Sequence, residues 1–227
     1  MNYVEPITDI RKIQAMSEYL KKSNRRDYIM FILGINVGLR ISDMIDKTVG
    51  FFARSAEIGF IELVPKKTDK SKEAKARRKG VVEAWSNDIG IVEEEQAEAV
   101  NNGGYRRKKV RIYMSDDVIE LIKEETANRD PDEYMFESRN SSMGFKPITR
   151  QRAYDLLNDA ARAVGIKDPI GTHSMRKTFG YWHYQKNRDI RMLMEIFGHS
   201  SEEITLKYIG VTNEAKKESA RGMNLGI

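Results

Sequence analysis

Residues 172–210 read THSMRKTFGYWHYQKNRDIRMLMEIFGHSSEEITLKYIG. Local signals cut this run into three helices. Thr172 stands where an N-cap belongs, ahead of HSMRKTFGYWHYQ, because its hydroxyl can accept from an orphan N–H of the first turn. A second helix runs through DIRMLMEIF and stops at Gly198. Ser200 or Ser201 caps a third, EEITLKYIG. The last third of the chain is therefore helical throughout.

The same signals extend the helical reading toward the N-terminus. Thr8 to Lys22 is amphipathic, with Ile10, Ile13, Met16 and Leu20 near a 3.6 period and Thr8 or Asp9 as cap. Asn24 to Val37 is largely apolar, hence buried, and Gly38 can take the left-handed conformation that ends it. LRISDMI then restarts a short helix carrying Arg40. Ser115 opens SDDVIELIKEE, whose acidic first turn suits the helix dipole. Thr149 caps a helix closed by Gly165. Only Gly59–Val64 and Lys109–Met114 read as strands, the second with alternating Val110, Ile112 and Met114.

Between those strands lies Lys70–Arg107, far longer than the 2–5 residues of an ordinary hairpin loop. It opens basic (KSKEAKARRK), turns acidic (VEEEQAE), passes through NNGG and ends in YRRKK. This is the composition of a flexible, solvated insertion; its basic ends could also touch a phosphate backbone. The segment Asn213–Arg221 is polar and peripheral.

Composition narrows the function. The 227 residues, 40% hydrophobic, suffice for one large domain or two small ones. A net charge of +5 and a pI near 9.2 favour a polyanionic partner without requiring one. The absence of cysteine removes disulfides, thiolate catalysis and Cys-ligated zinc, and fits a reducing cytoplasm. MNYVEPITDIRK lacks the apolar core of a signal peptide. The longest apolar stretch, Tyr28 to Val37, is interrupted by Gly34 and Asn36 and is too short to span a bilayer. The expectation is a soluble, intracellular protein without internal repeats.

Single residues carry little chemistry by themselves. His173 and Arg176 are three apart at the start of a helix, so they share a face at its positive end, which suits an anion. His199 sits in a turn. Tyr208 alone would be a core tyrosine. Together they form an ordered set: GLR at 38–40, H-x-x-R at 173–176, GH at 198–199, and Tyr208 in LKYIG.

That set resembles the tyrosine recombinases of the phage integrase family. NVGLRISDMI looks like the family's first arginine box, HSMRKTFGYWHY like its H-x-x-R box, and IFGHSSEEITLKYIG like its G-H and nucleophile segment. The likeness covers about Thr8 to Asn213 apart from the insertion. It implies a mainly α (α+β) catalytic domain, a helical bundle with a small antiparallel sheet. It implies a site-specific recombinase or integrase of a phage or mobile element, cleaving and rejoining DNA through a 3′-phosphotyrosyl intermediate.

The resemblance assigns roles that chemistry explains. Tyr208 is the nucleophile. Arg40 and Arg176 bind the non-bridging phosphate oxygens, because planar guanidinium forks make charge-assisted bonds that lysine cannot duplicate. A phenol with a reference pKa of about 10 is a poor nucleophile at neutral pH, so a base must help it, and His173 is the candidate. His199 is the candidate donor to the phosphate. A general acid must protonate the leaving 5′-oxygen. In this family a hairpin lysine does so, and Lys67 in PKKTDK matches best, with Lys66 in the wrong phase and Lys70 as fallback. The phosphotyrosyl bond conserves energy, so no cofactor and no metal is expected.

Other residues invite blander readings. Lys66, Lys70, Lys177 and Arg191 are candidate phosphate contacts, although a charged exposed face is the default. His183, Tyr181, Trp182 and Tyr184 read as packing, and Met192, Leu193, Ile196 and Phe197 as core. The expected organisation is a single catalytic domain over 1–227 with a peripheral tail from about 213 and no separate N-terminal core-binding domain. Expected partners are double-stranded DNA, further copies in a tetramer on that DNA, and an accessory DNA-bending or clamp protein, in a cytoplasmic, nucleoid-associated setting without membrane. Two other readings remain open: a non-cleaving DNA-binding regulator of the same fold, and a type IB topoisomerase-like enzyme.

Overall fold

The computed structural model describes residues 4–64, 109–138, 146–168 and 170–211. Lys66, Lys67 and Lys70, the whole insertion, and the tail from Asn213 lie outside the described residues. The chain forms two compact units, residues 1–61 with 112–227, and residues 62–111.

The first helix, α1 (Ile10–Ser23), starts at Asp9, whose carboxylate accepts from the Arg11 N–H. It buries Ile13, Met16 and Leu20; Ile10, assigned to the same face, is about half exposed. Helix α2 (Arg25–Val37) is capped by Asn24 and ends at Gly38, whose φ of 68° is the left-handed geometry glycine adopts without steric cost. Its Ile29, Met30, Phe31, Leu33 and Val37 are all buried. Short helix α3 (Ile41–Met44) has Arg40 as its N-cap residue. Helix α4 (Val49–Ile58) follows, an element the sequence reading did not anticipate. Thr48 caps it through the Phe51 N–H, and Gly59 ends it at a φ of 81°.

Strands β1 (Phe60–Leu63) and β2 (Val110–Tyr113) form the expected two-stranded antiparallel sheet. In the larger unit Ile61 and Ile112 are buried, and the Phe60 and Tyr113 rings pack at 5.6 Å. In the smaller unit Glu62 takes ion pairs from Arg111 at 2.7 Å and Lys109 at 3.0 Å. These two cations hold the Glu62 carboxyl below its usual range.

The remaining helices are α5 (Asp116–Thr126), α6 (Arg150–Ala163), α7 (Thr172–Asn187), α8 (Ile190–Phe197) and α9 (Glu202–Tyr208). Thr149 caps α6 as expected. Thr172 does not cap α7: it is the first helical residue, buried, and Gly171 is the cap, its N–H donating to the Ser174 hydroxyl. Ser201 rather than Ser200 caps α9.

Helix α7 is the axis of the larger unit. It packs along α2 and α6 and against α8, while α9 packs on α8. The seam between α7, α8 and α9 is closed by Phe179, Leu193, Phe197 and Ile209. An N-terminal strap crosses α7: the Ile7 N–H donates to the Thr178 hydroxyl at 2.8 Å, and the Trp182 indole donates to the Ile7 carbonyl at 3.0 Å. Among the described residues no helix is long and apolar enough to cross a membrane.

Candidate active site

Two backbone turns bring the arginines together. Gly38 ends α2 and Gly198 ends α8, both left-handed. A helix C-terminus leaves carbonyls with no intrahelical donor, and here guanidinium groups satisfy them. Arg176 donates to the Gly38 carbonyl and, at 3.0 Å, to the Ile196 carbonyl. Arg40 donates to the Phe197 carbonyl at 3.3 Å and lies 3.7 Å from Asp43. Phe197 also supplies a ring face 4.4 Å from the Arg176 guanidinium carbon.

This arrangement has an electrostatic consequence. Arg176 is only 3% exposed. Burial and then the charge of Arg40 push its pKa down to about 10, so it remains a cation at neutral pH. The carbonyls holding it carry partial rather than full negative charge. With one carboxylate, Asp43, against two guanidinium groups, the pair keeps a net positive charge for an incoming anion.

Tyr208, the last residue of α9, leans into this pair. Its hydroxyl lies 3.4 Å from His173 Nδ1, within the field of the Arg176 and Arg40 charges. Burial raises the Tyr208 pKa, and the charges of Arg176 and Arg40 oppose that rise without cancelling it. The phenol is thus held neutral beside His173 Nδ1.

His199 completes the cluster. Its ring packs edge-on to Tyr208 at 5.1 Å and lies 5.4 Å from Phe197. Its Nδ1 is 3.1 Å from the Thr205 hydroxyl. Burial, then Arg176 and Arg40, push its pKa down to about 4.

The structure therefore gathers Arg40, His173, Arg176, His199 and Tyr208 of the six expected catalytic residues. Lys67 lies outside the described residues. Arg191 is exposed, on the first turn of α8. Lys177 corrects the expectation of an exposed basic face: it is buried, with its ammonium 5.5 Å from the Tyr208 ring centroid. Burial lowers its pKa, opposed by Glu5. Met192, read as core, is 49% exposed, whereas Leu193 and Phe197 are buried as expected. His183 packs on Phe179 at 5.7 Å. Sequence reasoning missed Thr205 as the partner of His199 and Phe197 as the platform beneath Arg176. The i, i+6 spacing from His199 to Thr205 across a cap was the available signal for the first. Among the described residues no cluster of three His, Asp or Glu side chains could hold a metal ion.

Comparison with known proteins identifies the family. The profile of the phage integrase family matches residues 85–215. A probable integrase/recombinase, YoeC of Bacillus subtilis, is 33% identical over 217 residues, spanning 96% of this chain and 95% of that protein. The crystal structure of XerA recombinase superposes with a TM-score of 0.63 at 14% identity, covering 98% of this chain and 68% of that one. XerH site-specific recombinase, bound to a palindromic difH substrate in a post-cleavage complex, gives 0.61 at 16% identity, over 96% of this chain and 53% of that one. At such identities the structural likeness speaks for the fold.

Proposed function

The chain belongs to the phage integrase family of tyrosine recombinases, and from that premise we propose that it breaks and rejoins duplex DNA through a covalent bond to its own Tyr208. The observation that carries this reading is the Tyr208 hydroxyl lying 3.4 Å from His173 Nδ1, within the field of the Arg176 and Arg40 charges.

The proposed chemistry uses only these groups and the hairpin lysine. Tyr208 Oη attacks the phosphorus, His173 takes the phenolic proton, and the bond from phosphorus to the 5′-oxygen breaks. Lys67 supplies the proton that leaves with the 5′-hydroxyl. The products are a 3′-phosphotyrosyl ester and a free 5′-hydroxyl. Attack by a 5′-hydroxyl of a second strand runs the same steps backward and rejoins DNA. Arg40 and Arg176 stabilise the charge gathering on the non-bridging oxygens, each such preorganised donor contributing ~10²–10³ in rate by analogy with oxyanion holes. A 3.4 Å approach is long for proton transfer and shortens when substrate closes the site.

Duplex DNA is the partner, as the complexes of structurally similar recombinases support. Lys66, Lys70 and Arg191 contribute phosphate contacts, which position the protein without specifying sequence. Lys177 is withdrawn from that role by its burial. Assembly as a tetramer on DNA, help from an accessory DNA-bending or clamp protein, and work in the nucleoid follow from the same reading.

A library of nicked duplexes with randomised sequence tests the proposal, because a nick near the cleaved bond releases the short strand and traps the adduct. Covalent complexes should accumulate and disappear in Tyr208→Phe. An adduct that persists in the Phe variant would refute the nucleophile assignment. No adduct from the unmodified chain on any library member would favour a non-cleaving DNA-binding protein.

A further inference from the structure

We infer that Thr205 is a positioning residue that locks His199 with its Nδ1 protonated, so that His199 can donate to a bound phosphate only after taking up a second proton. The inference rests on the reading of Arg40, Arg176 and His199 as a phosphate pocket.

Hydrogen-bond bookkeeping carries the argument. The Thr205 hydroxyl is fully buried and has one proton. It lies 3.0 Å from the Ser201 carbonyl, which can only accept, so the proton goes there. The same oxygen lies 3.1 Å from His199 Nδ1 and must therefore accept from it. Nδ1 then carries a hydrogen, and in the neutral ring Nε2 carries a bare lone pair. Such a nitrogen repels a phosphate oxygen instead of binding it.

The surroundings decide when the second proton arrives. The charged groups acting on His199 are Arg176 on α7 and Arg40 ahead of α3, and Tyr208 on α9 faces its ring as a neutral phenol. Beyond these, Lys177 covers the Tyr208 ring, His173 meets its hydroxyl, and Asp43 sits against Arg40. In the free protein burial, then the two guanidinium charges, keep the ring neutral. A phosphodiester seated between the arginines offsets their charge and offers an acceptor to Nε2. Anion binding and proton uptake at His199 thus become one event. The neutral alternative, with hydrogen on Nε2, would require Thr205 to turn its proton from Ser201 to Nδ1.

Two measurements on the full chain test this. Long-range proton–nitrogen NMR distinguishes imidazole tautomers, and the chain has only three histidines. In the free protein at neutral pH, His199 should show hydrogen on Nδ1 and none on Nε2. Thr205→Ser should keep that state, and Thr205→Val should lose it. Sulfate then serves as the anion probe, since its own charge is constant near neutrality. Calorimetry in buffers of different ionisation heat should show about one proton taken up per sulfate, with affinity falling about tenfold per pH unit through neutrality. Thr205→Ser should retain that uptake, and Thr205→Val and His199→Asn should abolish it. Hydrogen on Nε2 in the free protein, or unchanged uptake in Thr205→Val, overturns the proposal. Sulfate binding that is absent or indifferent to Arg40→Ala overturns the phosphate pocket itself. The free-protein tautomer tells that failure from failure of the lock.

Discussion

Replacing Gly38 with alanine should damage this protein twice over. Gly38 has a φ of 68°, and a Cβ built there would lie 2.3 Å from Phe179 Cδ1 and 2.7 Å from Cγ. Ordinary carbon contacts are about 3.5–4.0 Å, so the overlap exceeds about 1 Å. The ring has little room to retreat, since Phe179 packs on Phe197 at 6.2 Å and Phe197 lies under Arg176. A left-handed backbone costs a residue with a Cβ about 1–2 kcal/mol, and overpacking costs about 1–3. Together they remove about 2–5 kcal/mol from a typical stability of about 5–15. In a chain of this size that lowers Tm by about 4–20 °C. The Gly38 carbonyl also holds Arg176, so a displacement of about 1 Å there should slow adduct formation about 100-fold. Circular dichroism melts and single-turnover adduct assays read the two effects. Gly165→Ala is the control: φ is 74° with nothing within 4 Å of the added Cβ, so only the backbone cost applies. Adding Phe179→Leu to Gly38→Ala should restore part of the loss. If Gly38→Ala melts no lower than Gly165→Ala, the ring contact does not constrain this turn and the reasoning fails.

Further outcomes are expected elsewhere in the site. Arg176→Lys should cut adduct formation by ~10²–10³ and lower Tm, because one ammonium cannot serve the Gly38 and Ile196 carbonyls and a phosphate together; a loss under about tenfold contradicts the fork argument. The His199 pKa lies at about 4 against 6.5 for an ordinary histidine, so between those values the unfolded chain binds a proton the folded one refuses. His199 therefore makes stability fall as pH drops through that window, and urea melts of His199→Asn should show a shallower fall than the parent. An unchanged slope would clear His199 of that effect. Trp182→Phe removes the bond to the Ile7 carbonyl and should cost about 1 kcal/mol, or about 2–4 °C in Tm. The same melts check it, and no shift would make the strap's bond energetically idle.

Much of this was legible because helix boundaries are written locally. Asp9, Asn24, Thr149, Ser201 and Gly38 announce their turns by side-chain chemistry or backbone freedom. Helix α4 escaped notice because VGFFARSAEI lacks an acidic first turn and its Phe51–Phe52 pair blurs the period. Only Thr48 and Gly59 marked its ends. The misplaced cap at Thr172 is a slip of one residue, since Ser174 rather than Thr172 supplies the capping oxygen. Lys177 was misread for a deeper reason. Lysine is rarely buried, and its ammonium sits over the ring of Tyr208, a contact no periodicity reveals. The arginine cradle was unreadable in the same way, because its acceptors are main-chain carbonyls, identical at every residue.

The spread of those contacts along the chain has a kinetic meaning. Arg176 meets a carbonyl 138 residues away, Arg40 one 157 away, and Ile7 meets Thr178 across 171. Contacts of such high order close late in folding, after their loop entropy has been offset elsewhere. Helices can form early in a growing chain, but the pocket exists only once residues 38 to 208 have come together. The proposed cutting of DNA would therefore be withheld from every partly folded form and switched on by completion of the fold.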